Sequence, residues 1–307
     1  METRVERLTT PDGDFLDIHY LAGQPGAPLL LLLHGLEGSV RSHYIQGSLL
    51  EASRRGWNAA VMVFRSCGSE LNRTRRFYHS GETTDLAFTI DHLLSTHGDS
   101  PLIVAGFSLG GNVLLKYLGE RQHRVSNRIR GAVAVSVPYD LARAAQRINS
   151  GFSKLYQRSF IESLKSKATA KCDLFPDVIS ARQVNSIQTI RDFDNWITAP
   201  LHGFHDADDY YTSSSAIGWL SGVRVDTLLL SAVDDPFLPP EVLDDVREAA
   251  SNNQALHLEF TTHGGHVGFV SGRNPFKPAY YLEDRVGDFL AGRVGPSSPA
   301  NPNGGSY

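Results

Sequence analysis

The chain has 307 residues, of which 41% are hydrophobic and 20% charged, with a formal net charge of −4. That length buries a full core as one large domain or two smaller ones, while the scattered basic residues exclude a nucleic-acid partner and the lack of an apolar run of about 18 residues excludes a spanning helix. Two cysteines far apart, Cys67 and Cys172, and an N-terminus without an apolar leader core predict free thiols in a reducing, cytoplasmic setting.

Residues 4–21 alternate loosely in polarity around Pro11-Asp12-Gly13, which predicts an opening antiparallel hairpin at one edge of a sheet. Leu29 to Leu33 is an unbroken apolar run, the pattern of a strand buried on both faces as in a parallel sheet. The loop His34-Gly35-Leu36-Glu37-Gly38-Ser39 ends it. A helix is predicted over 42–55 from the spacing of Tyr44, Ile45, Leu49 and Leu50, with Gly56 as its stop, followed by a strand at 59–64. Residues 65–81 are polar, irregular and too long for a mere connection, and loops of this kind at the carboxyl end of a strand commonly carry function. The next helix has Ser80 as a candidate N-cap and Leu86, Ile90, Leu93 and Leu94 as its apolar stripe.

The stretch 101–120, PLIVAGFSLGGNVLLKYLGE, organises the rest. It reads as a buried strand, a tight turn Gly106-Phe107-Ser108-Leu109-Gly110, and a helix starting at once behind it, which is a nucleophile elbow. A further buried strand is predicted over 131–137, and strands alternating with helices at this rhythm mean a mostly parallel, doubly wound sheet of about eight strands. The rhythm breaks over 138–222, a basic and polar helical stretch that turns aromatic and acidic; it reads as a helical cap over the carboxyl edge of the sheet. Strand character resumes at 225–231 and 256–261, with helices over 239–250 and 278–290. Residues 1–291 are thus expected to form a single domain, with the Pro-, Gly- and Ser-rich tail 292–307 disordered.

A serine hydroxyl needs a base and an acid that orients the base. Both follow the elbow at strand ends, in the order Ser, Asp, His. The acid lies in Asp234-Asp235-Pro236; Pro236 holds the residue before it extended, which favours Asp235 over Asp234. Of the two histidines after the last strand, His266 is flanked by Gly265 and Gly268 and is preferred to His263. The oxyanion hole calls for two main-chain donors, assigned to Leu109, next to the nucleophile, and to Leu36 in the loop after the leucine strand, with His34 holding that loop by hydrogen bonding.

Weaker signals are read conservatively. Arg73, Arg75 and Arg76 are ion-pair anchors or solvated loop residues before they are an anion site, and Cys67 is a packing residue before it is a reactive thiol. His202, His205, Asp206, Asp208 and Asp209 could suggest a metal, but a polar cap loop accounts for them and a serine mechanism needs no metal or cofactor. Part of the cap, with its aromatics Phe193, Trp196, Phe204, Tyr210 and Tyr211, is expected to wall an apolar acyl pocket over Ser108, with Trp196 and Phe204 as the candidates singled out.

The segments FRSCGSELNRTRRFYHSGETTDL, GFSLGGNVLLKYLGE, RDFDNWITAPLHGF with DDYYTSSSA, SAVDDPFLP and HGGHVGF together resemble the YheT-like α/β-hydrolases, a group that includes eukaryotic α/β-hydrolase-domain lipases and medium-chain fatty-acid ethyl ester synthase/esterases. The likeness covers roughly residues 15–290. It implies a carboxylic-ester hydrolase acting on small acyl esters, with Ser108, Asp235 and His266 as triad and no cofactor. Acyl transfer to an alcohol would use the same triad, and a non-catalytic scaffold would require it broken, which it is not.

Overall fold

A computed structural model of the protein describes residues 1–151, 153–177, 179–271 and 279–295. Its centre is an eight-stranded sheet of β1 (Arg4–Thr9), β2 (Phe15–Leu21), β3 (Leu29–Leu33), β4 (Asn58–Val63), β5 (Leu102–Phe107), β6 (Ile129–Val135), β7 (Thr227–Ala232) and β8 (Leu256–Thr261), in the order β1-β2-β4-β3-β5-β6-β7-β8. The β1 and β2 hairpin joins antiparallel to β4, and every later pairing is parallel.

The leucine strand explains the layering. Leu29, Leu31 and Leu33 point into one core and Leu30 and Leu32 into the other, so the side-chain period of two feeds both faces from one run. Each such side chain contributes roughly 1.5–3 kcal/mol on burial. Helices α1 (His43–Arg54) and, far along the chain, Tyr281–Val294 cover one face through Ile45, Leu49, Val286 and Leu290. Helices α2 (Thr84–Thr96) and α3 (Leu109–Arg121) cover the other through Leu86, Ile90, Val113 and Leu114. The chain leaves β3 toward β4 and then crosses back to β5 on the far side of β3. The loops after β3 and β5 therefore diverge and leave a crevice at the carboxyl edge, where doubly wound sheets bind ligands.

Several expected boundaries move: the strand expected at 131–137 runs Ile129–Val135 and the one expected at 225–231 runs Thr227–Ala232. Ser80 does not cap α2; its amide is taken by the Tyr210 hydroxyl, while the Glu82 carboxylate accepts from the Thr84 amide at 2.8 Å, because a carboxylate matches the positive helix end. The closing helix starts at Tyr281 and continues through Val294, past the expected end at Leu290, and the tail 296–307 lies outside the described residues.

The cap is made of one long helix and several short ones. They are α4 (Leu141–Ile148), α5 (Ser153–Leu174), α6 (Ala181–Ser186), α7 (Ile190–Phe193), α8 (Ala199–His202) and α9 (Ala207–Ser214), with a π-helical turn Asp194–Thr198 between α7 and α8. Asp140, Ser180, Thr189 and Asp206 cap them with their own side chains. The stretch Ala216–Gly222, within the expected insertion, returns to the body: a Cβ on Gly119 of α3 would lie 2.2 Å from the Trp219 carbonyl oxygen. Among the described residues no helix is long and apolar enough to cross a membrane.

Candidate active site

Ser108 links the end of β5 to the start of α3 at φ 51° and ψ −119°. Such a conformation costs a non-glycine residue about 1–3 kcal/mol and persists only when its neighbours enforce it. Here the Ser108 amide donates to the Val135 carbonyl at 2.8 Å, and its carbonyl accepts from the Asn112 amide at 3.0 Å. The flanking glycines are sterically required. A Cβ on Gly106 would stand 2.5 Å from the Gly110 carbonyl oxygen, and one on Gly110 would stand 2.5 Å from that of His34.

Beyond β7, Asp235 is buried, with Oδ2 2.8 Å from His266 Nδ1 and Oδ1 accepting from the Phe237 amide at 2.8 Å. A carboxylate facing Nδ1 keeps the proton there and leaves Nε2 as the basic nitrogen. The neighbouring Asp234 turns the other way. Its Oδ1 accepts from the Gly264 and Gly265 amides at 2.9 and 2.8 Å, and its Oδ2 faces Nδ1 of His263, whose side chain is 88% exposed. One aspartate orients the imidazole while the other pins the loop that carries it.

In the loop after β3 the amides divide in a telling way. Gly35 donates to the Tyr44 hydroxyl at 2.9 Å, Glu37 to the Tyr78 hydroxyl at 2.8 Å, and Gly38 to the Gly35 carbonyl at 3.0 Å. Between them, the Leu36 amide has no protein acceptor among the described residues. His34 is fully buried and staples the loop to β4, with Nδ1 2.8 Å from the Gly35 carbonyl and Nε2 accepting from the Phe64 amide at 3.1 Å. Burial lowers its pKa to about 4, so it is neutral.

Ser108, Leu109, Leu36, Asp235 and His266 all line one cavity of about 640 Å³ at the carboxyl edge of the sheet. The cap supplies its far wall through Leu141, Ile148, Phe160, Leu164, Phe193 and Tyr211. Of the cap aromatics expected there, Phe193, Tyr210 and Tyr211 line it, whereas the two singled out, Trp196 and Phe204, do not. Trp196 is 42% exposed, and Phe204 packs against His79 and Tyr210, ring centroids 5.5 and 5.3 Å away. The extra residue of the π-helical turn rotates this segment, so Phe193 and Asp194 reach the cavity and Trp196 faces outward. Asp194 is a residue the sequence did not single out. It accepts from the Thr198 and Tyr211 hydroxyls at 2.8 and 2.7 Å, and burial raises its carboxyl to about 6.

The polar loop 65–81 is a clamp. Arg65 is buried, donates to both Asp85 oxygens at 2.7 and 2.8 Å, and also reaches Asp12 and Asp14. Arg75 pairs with Asp177 and Arg76 with Glu82, while Arg73 lies over the Phe15 ring. In the acidic cap stretch, Asp206 caps α9 and Asp208 pairs with Arg191. His202 instead meets His79 and Glu82, three potential ligand atoms within 4.8 Å of one another. Their donor set suits neutral packing better than a cation: His79 Nδ1 accepts from the Gly81 amide at 3.2 Å, and the Glu82 carboxylate is taken by Arg76. Cys67, half-buried beside Lys167, has its thiol pushed up to about 12 by desolvation, which makes it an inert packing residue.

The profile of the alpha/beta hydrolase fold matches residues 28–272. Over 290 residues the chain is 39% identical to the protein named "Putative esterase YheT" of Escherichia coli (strain K12), covering 93% of this chain and 84% of that one. It is 31% identical over 262 residues to the monoacylglycerol lipase of Saccharomyces cerevisiae, covering 80% of this chain and 56% of the longer yeast protein. Among solved structures, the esterase Pf2001 of Pyrococcus furiosus superposes with a TM-score of 0.62 at 18% identity, covering 96% of this chain and 91% of that one, a likeness of fold alone.

Proposed function

We propose that this chain, which belongs to the α/β-hydrolase fold family, is a serine esterase that cleaves short- to medium-chain acyl esters through an acyl-enzyme. It is a hydrolase of the esterase and lipase type. The observation that carries the finer reading is the 2.8 Å contact of Asp235 with His266 in a cavity that also holds the Ser108 elbow.

In this reading His266 Nε2 takes the Ser108 proton as Oγ attacks the ester carbonyl, and the charge that develops on the carbonyl oxygen is met by the Leu36 and Leu109 amides. Collapse expels the alcohol, which receives its proton from His266. Water then enters, loses a proton to the same nitrogen as its oxygen attacks the acyl carbonyl, and collapse breaks the Ser108 Oγ–acyl bond, releasing the acid while His266 returns the proton to Oγ. Asp235 keeps Nδ1 protonated throughout. The apolar cap wall supports an acyl-binding role, each buried methylene contributing about 0.8 kcal/mol. The unpaired Cys67 and Cys172 support a reducing, cytoplasmic setting.

A p-nitrophenyl ester series from acetyl to dodecanoyl tests the reading together with Ser108→Ala. Efficiency is expected to rise with chain length to near hexanoyl or octanoyl and then fall. Ser108→Ala, whose side chain fills no core space, is expected to fold normally, lose turnover and escape labelling by a serine-directed phosphonate. Persistent labelling of that variant would place the nucleophile elsewhere.

A further inference from the structure

The loop that carries Leu36 is tied to the cap through one carboxylate. Glu37 adopts φ of 54°, in the left-handed region that side-chain-bearing residues rarely enter. Its side chain is 7% exposed and gathers three donors. Oε1 accepts from the Tyr78 hydroxyl at 2.7 Å and the Lys167 ammonium at 2.8 Å, and Oε2 accepts from the Ser163 hydroxyl. The Glu37 amide also donates to Tyr78, so that tyrosine grips both the backbone and the side chain of residue 37. Ser163 and Lys167 are four residues apart on α5 and so share a face of the longest cap helix. The Lys167 ammonium also stands 3.7 Å from the neutral Cys67 thiol and 5.9 Å from the Tyr78 ring centroid.

A main-chain donor stabilises an oxyanion only when its N–H is aimed correctly, and a displacement of about 0.5–1 Å is enough to weaken it. The Leu36 amide is set by its neighbours: Tyr44 fixes residue 35 on one side, and Tyr78 fixes residue 37 on the other. We propose that Glu37 is the positioning residue of the oxyanion loop and that the cap helix α5 holds it in place through Lys167 and Ser163. This rests on the esterase reading with Leu36 as an oxyanion donor. The cap then has two tasks, walling the cavity and aiming the donor, and α5 performs both.

The test compares the parent with Glu37→Ala, Glu37→Gln, Lys167→Met and the Glu37→Ala/Lys167→Met pair. The readouts are kcat and KM on p-nitrophenyl butyrate, the affinity of an alkyl trifluoromethyl ketone, whose serine adduct carries an oxyanion, and the affinity of a straight-chain alcohol, which fills the cavity without one. Glu37→Ala is expected to lower kcat about ten- to a hundredfold with KM within about twofold, and to lose ketone affinity in parallel while alcohol affinity holds. Glu37→Gln keeps an acceptor for Tyr78 and Lys167 and is expected to recover most of the rate. The double variant is expected to fall within about twofold of Glu37→Ala, because both changes cut one linkage.

Parental kcat in a folded Glu37→Ala, or equal loss of ketone and alcohol affinity, would overturn the inference. Should Glu37→Ala not fold, Lys167→Met decides, since an unchanged ketone affinity there would sink it equally. Failure of the underlying reading looks different: the parent itself would resist the ketone and escape labelling at Ser108.

Discussion

Asp234 and Asp235 are adjacent in sequence and hold three consecutive residues of one loop, Asp234 through Gly264 and Gly265 and Asp235 through His266. Asp235 is buried and meets His266 at 2.8 Å, whereas Asp234 is partly exposed and holds the Gly264 and Gly265 amides just before it. Those two amide bonds also draw the Asp234 carboxyl below its ordinary value against the opposing effect of desolvation. Two like charges are thus separated by direction, and each has its own compensating partner.

The pair yields a ranked prediction. Asp235→Asn removes the charge that stabilises the imidazolium and is expected to cut kcat by about three to four orders of magnitude with little change in melting temperature. Asp234→Asn keeps an oxygen for the two amides and is expected to be mild. Asp234→Ala frees the histidine loop and is expected to cost about tenfold in kcat together with a lower melting temperature. Steady-state kinetics and thermal melts of the three variants check this, and a reversed ranking of the two Asn variants would defeat it.

The elbow glycines can be tested against a neutral one. A Cβ on Gly110 meets main-chain atoms of Leu33 and His34 at 2.5–2.6 Å, which cannot yield without moving β3. Gly110→Ala is expected to destabilise the fold by more than about 2 kcal/mol. At Gly218 a Cβ meets nothing within 4 Å and φ is not positive, so Gly218→Ala is expected to change stability by less than about 1 kcal/mol and to favour the fold. Denaturant titrations of both variants give the comparison.

For the cap, the contrast is between residues on the cavity wall and residues outside it. Phe193→Ala, which opens the wall, is expected to shift the preferred acyl chain upward by about one or two methylenes. Trp196→Ala is expected to leave the chain-length profile unchanged, and Phe204→Ala to lower the melting temperature with the profile intact. A profile moved by Trp196→Ala would mean that the cap sits differently over the cavity in solution.

Acid sensitivity follows from two buried histidines, His34 and His79, and the half-buried His202. Burial lowers His34 and His202 to about 4 and holds His79 well below its ordinary value. Unfolded, each titrates near 6.5, so between about 6.5 and 4 the unfolded chain holds protons that the folded chain lacks. Stability therefore falls as pH falls through that window. Asp194 works in the opposite sense, since its raised carboxyl favours the folded state on acidification, as do the raised carboxyls of Asp85 and Glu283, while the lowered His19 and His97 add to the histidine side. Melting temperature is expected to drop from pH 7 to pH 4.5. His202→Leu, which removes a buried Nε2 with no protein partner among the described residues, is expected to flatten the drop. A melting temperature that holds or rises on acidification would contradict this.

Much of the architecture was legible because it rests on local signals. Unbroken apolar runs at Leu29–Leu33 and 102–106 are too short for a buried helix and suit strands of a sheet covered on both faces, and the glycine spacing around Ser108 is required by a strand that turns straight into a helix. Pro236 likewise acts on its immediate neighbour, so the preference for Asp235 over Asp234 could be read without coordinates. These features depend on residues within a few positions of one another.

What the tertiary structure decided depends on contacts between distant parts of the chain. Trp196 and Phe193 are both cap aromatics, and which of them faces the cavity is set by a π-helical turn that adds a residue to the helical period, a shift that apolar spacing does not encode. Glu37 lies 130 residues from Lys167 and 41 from Tyr78, and nothing near it in sequence hints that a cap helix will cover its carboxylate. Sequence alone thus determined the strands and the tight turn at Ser108, because each is dictated by short-range sterics and burial pattern. The cavity wall and the partners of its polar groups were decided only when packing brought the cap onto the sheet, since the energy of a buried charge depends on which distant donors surround it.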